Sequence, residues 1–400
     1  MSSCSALFEK VWHKGMTIGY EFYGNHFVSV DDSLIVFSSE PDFSDNAFVL
    51  FEYMQKNGYA EKYHFVWLVS EPKKFSEEQK KYKNTVFVQY RDKNKRMCFK
   101  AMESLMKAKY FMGTHVRQSR VRKRNTGQTI INLWHGCGYK DTQHLAWNDA
   151  FDYCLVPGDV FVKTKSEFFG CSESHFLPIG YPRSDLLFSN NPKAAEAAEN
   201  LKKDSNTKLI IWMPTFRKTG KNKYPEENIE YKFELPIFQS VDDMHRFDSF
   251  CRENNIIVLI KKHQYQVDFA NKSKDFTNIL MIGNDFFKEI GVQMYEFLPF
   301  TDALITDYSS AAIDYLLVDK PIGFTLDDYE QYKKTRGFVF ENPLENMPGE
   351  HIFDYEGLES FVSDLKNGID KYYDDRKRVK SATNNESCDF CKRVLEKLKI

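Results

Sequence analysis

The stretch Thr301-Asp-Ala-Leu-Ile-Thr-Asp-Tyr-Ser-Ser-Ala-Ala-Ile-Asp-Tyr-Leu-Leu-Val318 sets an apolar run directly against a cluster of hydroxyl residues and then a helical pattern. Residues 303–305 read as a short buried strand, Thr306 to Ser310 as a turn, and 310–318 as a helix. A helix that starts at such a turn points free N–H groups and the positive end of its dipole at whatever lies beyond the strand, which suits an anion such as phosphate. The plain alternative is an ordinary helix start, with Asp307, Ser309 or Ser310 serving as the N-cap.

Outward from that stretch the same grammar repeats. Leu34-Ile-Val-Phe37 precedes Ser38-Ser39, Tyr110-Phe-Met112 precedes Gly113-Thr114, and Ile130-Ile-Asn-Leu-Trp134 precedes His135-Gly136. Cys154-Leu-Val156, Phe176-Leu-Pro-Ile179, Leu209-Ile-Ile-Trp-Met213 and Ile256-Ile-Val-Leu-Ile260 likewise end in Gly, Pro or polar residues. Continuous apolar runs separated by helix-sized segments predict parallel sheets covered on both faces, an α/β fold. Ligands in such sheets sit beyond the carboxyl ends of the strands, which would gather His135, Arg183, Arg217, His263 and Thr306 in one region.

The 400 residues suit two domains, and the turn-rich, then polar-helical segment 188–207 reads as the linker between them. This divides the chain into residues 1–187, the linker, a second α/β domain over 208–350, and a charged helical segment over 351–400 expected to pack back across both. A net charge of −2 gives no global attraction to nucleic acid, so anion binding must be built from local groups. Eight scattered cysteines indicate a reducing compartment; Cys388-Asp-Phe-Cys391 has no second pair with which to make a metal site. The absence of a basic start, a long apolar run or an Asp-x-Asp at a strand end predicts a cytoplasmic protein with no required metal, Mg²⁺ serving at most as a counter-ion to phosphates. Residues 6–23 could lie on a membrane surface or pack on the body of the protein. The run His115-Val-Arg-Gln-Ser-Arg-Val-Arg-Lys-Arg-Asn125, with five Arg or Lys residues, could grip phosphate-rich acceptors or anionic headgroups, or be a solvated loop.

Several motifs then agree in order: Trp134-His-Gly136 with Lys140, Gly180-Tyr-Pro-Arg-Ser-Asp185, Pro214-Thr-Phe-Arg217, the His263 strand end, Ile305-Thr-Asp-Tyr-Ser-Ser310 with Asp314-Tyr315, Lys320-Pro321 and Arg336-Gly-Phe338. Together with the Ser44-Asp-Asn46 helix start, this series resembles the CDP-glycerol glycerophosphotransferases, the teichoic-acid primase and polymerase family, from about residue 30 to 350. The resemblance implies a GT-B-like fold, two Rossmann-like domains facing a central cleft, with the donor nucleotide held mainly by the second. It also implies transfer of glycerol phosphate from CDP-glycerol to a hydroxyl of a lipid-linked or polymeric acceptor, with release of CMP.

On that reading His135 is the candidate base, since a neutral imidazole can take a proton near neutral pH, and Trp134 and Gly136 shape its surroundings. His263 with Lys262 would serve the leaving phosphate, and Thr306, Ser309 and Ser310 would cradle the diphosphate. Asp307 fits capping or orienting a histidine better than facing phosphate, and Asp314 could accept from ribose hydroxyls or be a solvated carboxylate. Thr215, Arg217, Arg183 and Arg336 complete the substrate-binding set, the arginines offering bidentate guanidinium groups or, alternatively, structural ion pairs. The chain departs from the family pattern at Cys137-Gly-Tyr139 and at Gln264, which leaves CDP-ribitol and a capsule or lipopolysaccharide acceptor open. A nucleotide-sugar glycosyltransferase and a non-catalytic membrane-associated scaffold are the competing readings.

Overall fold

The computed structural model describes residues 19, 22–23, 26–115, 127–141, 150–215, 235–261 and 275–400. Among them, two sheets form, and every strand pairing is parallel. The first contains β1 (Asp31–Ser38), β2 (His64–Val69), β3 (Thr85–Gln89), β4 (Ala108–Gly113), β5 (Thr129–Asn132), β6 (Tyr153–Val156) and β7 (Phe176–Pro178), in the order 3-2-1-4-5-6-7. The second contains β8 (Lys208–Met213), β9 (Ile256–Lys261), β10 (Ile279–Ile282), β11 (Ala303–Thr306), β12 (Ile322–Thr325) and β13 (Glu350–Ile352), in the order 10-9-8-11-12-13. The architecture is GT-B-like, two parallel-sheet α/β domains.

Each sheet reverses its winding beside its first strand: β1 lies between β2 and β4, and β8 between β9 and β11. Such switch points open a crevice at the strand carboxyl ends, because the flanking connections leave in opposite directions. The residues after β1 and β4, and after β8 and β11, therefore line two crevices, one per domain.

Alternation along the strands distributes the core. In β8, Leu209 and Ile211 face the large core shared with the first domain, whereas Ile210 and Trp212 face a second core with Met244, Phe247 and Cys251 of the helix Val241–Glu253. That helix starts with a reciprocal cap, Ser240 accepting from Asp243 N and the Asp243 carboxylate from Ser240 N. Each fully buried aliphatic or aromatic side chain contributes about 1.5–3 kcal/mol, so two-sided burial is what makes these strands continuous in apolar character.

The polar segment between the sheets contains the helix Pro192–Leu201, with Pro192 in its first turn and Asn191 Oδ1 accepting from Lys193 N at 3.0 Å. After the helix Tyr355–Lys366 on the second domain, the chain returns to the first. Asn385 N donates to Pro157 O at 3.0 Å, and the Asp185 carboxylate accepts from Phe390 N and Cys391 N, both at 2.8 Å, capping the final helix Phe390–Leu398. Cys391 is buried against Pro182 while Cys388 is exposed, and both are free thiols. No described helix is long and apolar enough to cross a membrane.

Candidate active site

β5 ends two residues before its apolar run does. Asn132 Oδ1 accepts from Trp134 N at 3.1 Å, Trp134 takes a left-handed φ of 52°, and the chain turns away from the sheet. A fully buried amide from the other side of the crevice fixes this bend: Asn46 Nδ2 donates to Leu133 O at 3.2 Å and Trp134 O at 2.9 Å, and its Oδ1 accepts from Arg183 N at 3.1 Å. One side chain thus ties the Trp134-His135-Gly136 loop to the Arg183 segment.

Two glycines bring this loop against the second domain. Gly136 has φ 126°, and a Cβ there would lie 2.5 Å from Ser310 Oγ and 3.0 Å from Arg183 Nη2. At Gly138 a Cβ would lie 2.7 Å from the backbone nitrogen of Ser310. Only hydrogen fits at either place. The neighbouring Cys137 and Tyr139 are buried, Cys137 accepting from Tyr181 OH at 3.2 Å and Tyr139 OH donating to Asn346 O at 2.9 Å. The Cys-Gly-Tyr sequence is therefore a packed join between the domains.

Across the join, β11 runs into the hydroxyl-rich bend. Thr306 is buried, and its hydroxyl donates to Met213 O at 2.8 Å, tying β11 to β8. Asp307 is buried and accepts from Thr215 N at 2.9 Å and from the Thr215 hydroxyl, so this carboxylate orients the turn after β8. Lys140 Nζ, from the first domain, donates to Thr215 Oγ1 at 3.1 Å. Ser309 caps the short helix Ser310–Tyr315, its hydroxyl accepting from Ala311 N at 3.3 Å, and Ser310 faces the two glycines. Of the expected phosphate-facing hydroxyls, Thr306 is engaged inside the sheet, while Ser309 and Ser310 lie at the domain join.

Arg183 is an ion-pair partner on both sides. Its Nη1 donates to Asp45 Oδ1 and its Nη2 to Asp314 Oδ2, each at 2.8 Å, and Tyr295 OH donates to the same Asp314 oxygen at 2.5 Å. The guanidinium also lies 4.8 Å from the Tyr295 ring centroid. Arg183 and Asp314 are 7% and 2% exposed, so this is a buried charge cluster in which Asp45 comes from the first domain and Asp314 from the second. Asp314 is spent on Arg183 and Tyr295.

His135 is half-buried beside this cluster, its ring 3.9 Å from that of Trp134 and stacked on His115 at 4.5 Å with the planes 5° apart. Burial pushes its pKa down to about 3; His115 and Arg183 add to the depression and Asp45 opposes it. The imidazole is thus neutral throughout the working range. Arg336 is half-buried at the end of the helix Tyr329–Thr335, next to Gly337, whose carbonyl accepts from Asp141 N at 3.1 Å. Arg217, Lys262 and His263 lie outside the described residues, as do 116–125 of the basic run and most of residues 6–23. Among the described residues, no group of three or more His, Cys, Asp or Glu side chains is arranged to hold a metal.

Residues 21–393 match the model of the CDP-Glycerol:Poly(glycerophosphate) glycerophosphotransferase family. The chain belongs to this family. Relatives of this glycerophosphotransferase-family chain include the teichoic acid poly(glycerol phosphate) polymerase of Staphylococcus epidermidis, 24% identical over 92% of this chain and 51% of the relative. The teichoic acid ribitol-phosphate polymerase TarL of Staphylococcus aureus is 27% identical over 58% of this chain and 41% of its own length. The chain thus spans about half the length of these curated relatives. Among solved structures, a variant of the wall teichoic acid polymerase TagF with CDPG superposes with a TM-score of 0.70 at 19% identity, covering 100% of this chain and 98% of that one. The UDP-GlcNAc 2-epimerase of Neisseria meningitidis follows at a TM-score of 0.55 and 11% identity, over 92% of this chain and 99% of that one. At these identities both likenesses speak to the fold.

Sequence reasoning did not single out Asp45, Tyr295 or His115 as individual site residues, and took Asn46 only as part of a helix start. Arg183 meets Asp45 and Asp314 across 138 and 131 residues of sequence, a separation with no local signature.

Proposed function

We propose that this chain transfers a polyol phosphate, glycerol phosphate in the first instance, from its CDP-activated form to a hydroxyl of a cell-surface glycan acceptor, releasing CMP. Family membership over residues 21–393 carries the reading. The geometry supports it through the meeting of the His135 loop with the Ser309-Ser310 bend across the domain join.

In the reaction, the acceptor hydroxyl loses its proton to the neutral His135 imidazole as its oxygen bonds to the phosphorus of the glycerol phosphate. The phosphoanhydride bond to CMP breaks, and the electron pair leaves on the CMP phosphate. That transfer needs a base, donors around the phosphates, and exclusion of water. His135 supplies the first. Ser309, Ser310 and adjoining N–H groups, with Arg217, Lys262 and His263 on the leaving side, are assigned to the second. The close fit of Gly136 and Gly138 on Ser310 serves the third. Lys140 and Asp307 act through Thr215, holding the turn beneath the donor. The reading asks for no resident metal; Mg²⁺ would act as a counter-ion to the diphosphate. A lipid-linked acceptor and contact with the inner face of the membrane go with this reading.

A second donor is favoured by one observation: a ribitol-phosphate polymerase matches at 27% identity, so CDP-ribitol is tested beside CDP-glycerol. Purified chain is incubated with each donor and a short glycerol-phosphate-primed acceptor, and CMP is quantified. Acceptor-dependent CMP from one donor supports the proposal; CMP from neither, with UDP-sugars turned over instead, replaces it with glycosyl transfer.

A further inference from the structure

His115 opens the basic run and would pass for one more surface cation. Its position is different: it lies two residues beyond the end of the crevice strand β4, and its ring lies flat against that of His135 at 4.5 Å, with the planes 5° apart. Thr114 Oγ1 lies 3.0 Å from His115 Nδ1 and accepts from Glu40 N at 3.2 Å, which ties the second imidazole to the loop after β1. The two crevice strands beside the switch point thus join in fixing one ring, and that ring supports the plane of the other.

We propose that His115 is a positioning residue for His135: the stacked imidazoles hold at most one proton between them, and the stack sets the orientation in which His135 receives a proton. This rests on the reading of His135 as the base. Two cations at this separation repel, so charge on one ring disfavours charge on the other. The surroundings decide which ring charges first. His115 faces the carboxylates of Glu40 and Asp45, both favouring its charged form, whereas His135 faces Asp45 but also Arg183. Burial depresses both imidazoles, and His135 further. The first proton taken up on acidification therefore goes to His115; His135 stays neutral, and it accepts the proton of the hydroxyl most readily while His115 is itself uncharged, since the repulsion would otherwise oppose that transfer.

The test is a pH titration of the full chain labelled with ¹⁵N-histidine, followed by NMR without substrate, with His135→Gln used to assign its signal. In the wild-type chain the His135 signal is expected to stay neutral to below pH 5, with His115 titrating first. His115→Phe keeps a stacked ring and removes the charge, and should raise the His135 midpoint by about half a unit to one unit. His115→Asn removes the ring as well, so it should combine that shift with loss of restrained orientation, read as at least a threefold fall in kcat with little change in the donor KM. If the His135 midpoint is the same in wild-type and both folded variants, the proposal is overturned whatever the turnover. Absence of CMP release from the wild-type chain would instead overturn the functional reading and leave the titration standing on its own.

Discussion

Replacing Arg183 by Met tests the join between the domains most severely. The substitution keeps most of the apolar stem but leaves Asp45 and Asp314 facing each other without their cation, and Asp314 is 2% exposed. Removing one partner of a buried pair costs about 3–5 kcal/mol, because the remaining charge is stranded in a poorly solvated site. Exposed pairs such as Lys74–Glu71, with side chains 66% and 62% exposed, contribute about 0–1 kcal/mol. Calorimetry of Arg183→Met should therefore show the joined transition falling by about 6–20 °C, at roughly 2–4 °C per kcal/mol for domains of this size. The double variant Arg183→Met with Asp314→Asn removes the stranded charge and should recover a large part of the loss, a positive coupling that a double-mutant cycle reads directly. A single-variant loss below about 1 kcal/mol, equal to that of an exposed pair, would refute the reasoning.

Further outcomes follow from the same contacts. Gly138→Ala would put a methyl 2.7 Å from the Ser310 backbone nitrogen, where no side chain can yield; about 1–3 kcal/mol of overpacking should appear as a lowered melting temperature and reduced donor affinity. Asp185→Ala should cost about 0.5–2 kcal/mol and speed proteolytic removal of residues 390–400, since its carboxylate caps that helix. Because His135 is held at about 3 when folded and near 6.5 when unfolded, the folded chain binds fewer protons between these values. Its contribution to stability is complete above about pH 6.5 and is lost as pH falls, by at most about 1.4 kcal/mol per pH unit, and His135→Gln should flatten that slope in urea titrations at pH 7 and pH 5.

The strands were legible because burial on both faces leaves unbroken apolar runs: 34–37, 110–112, 154–156, 209–213 and 256–260 all fall inside observed strands. The run Ile130–Trp134 overshot, since Asn132 closes on Trp134 N and turns the chain two residues before the apolar character ends. The helix expected over 310–318 is regular only to Tyr315. The motif residues of the site were visible as types but not as partners. Nothing in the spelling of Asn46 indicates that it clamps Leu133, Trp134 and Arg183, because those bonds form only once two crevice loops are folded side by side. Arg183 and Asp314 look like ligands for phosphate and ribose in one dimension; in three they neutralise each other across the domains. Nor does the sequence show that the Thr306 hydroxyl donates to Met213 O, since at the last position of a strand it can reach the neighbouring strand's carbonyl only once the two are paired.

The most direct measurement compares acceptor-dependent CMP formation from CDP-glycerol and CDP-ribitol by the wild-type chain and by His135→Gln, with equal folding verified by circular dichroism. Loss of the base should reduce kcat about 10²- to 10⁴-fold for whichever donor is used, with donor binding retained. Wild-type turnover that survives His135→Gln undiminished would contradict the account.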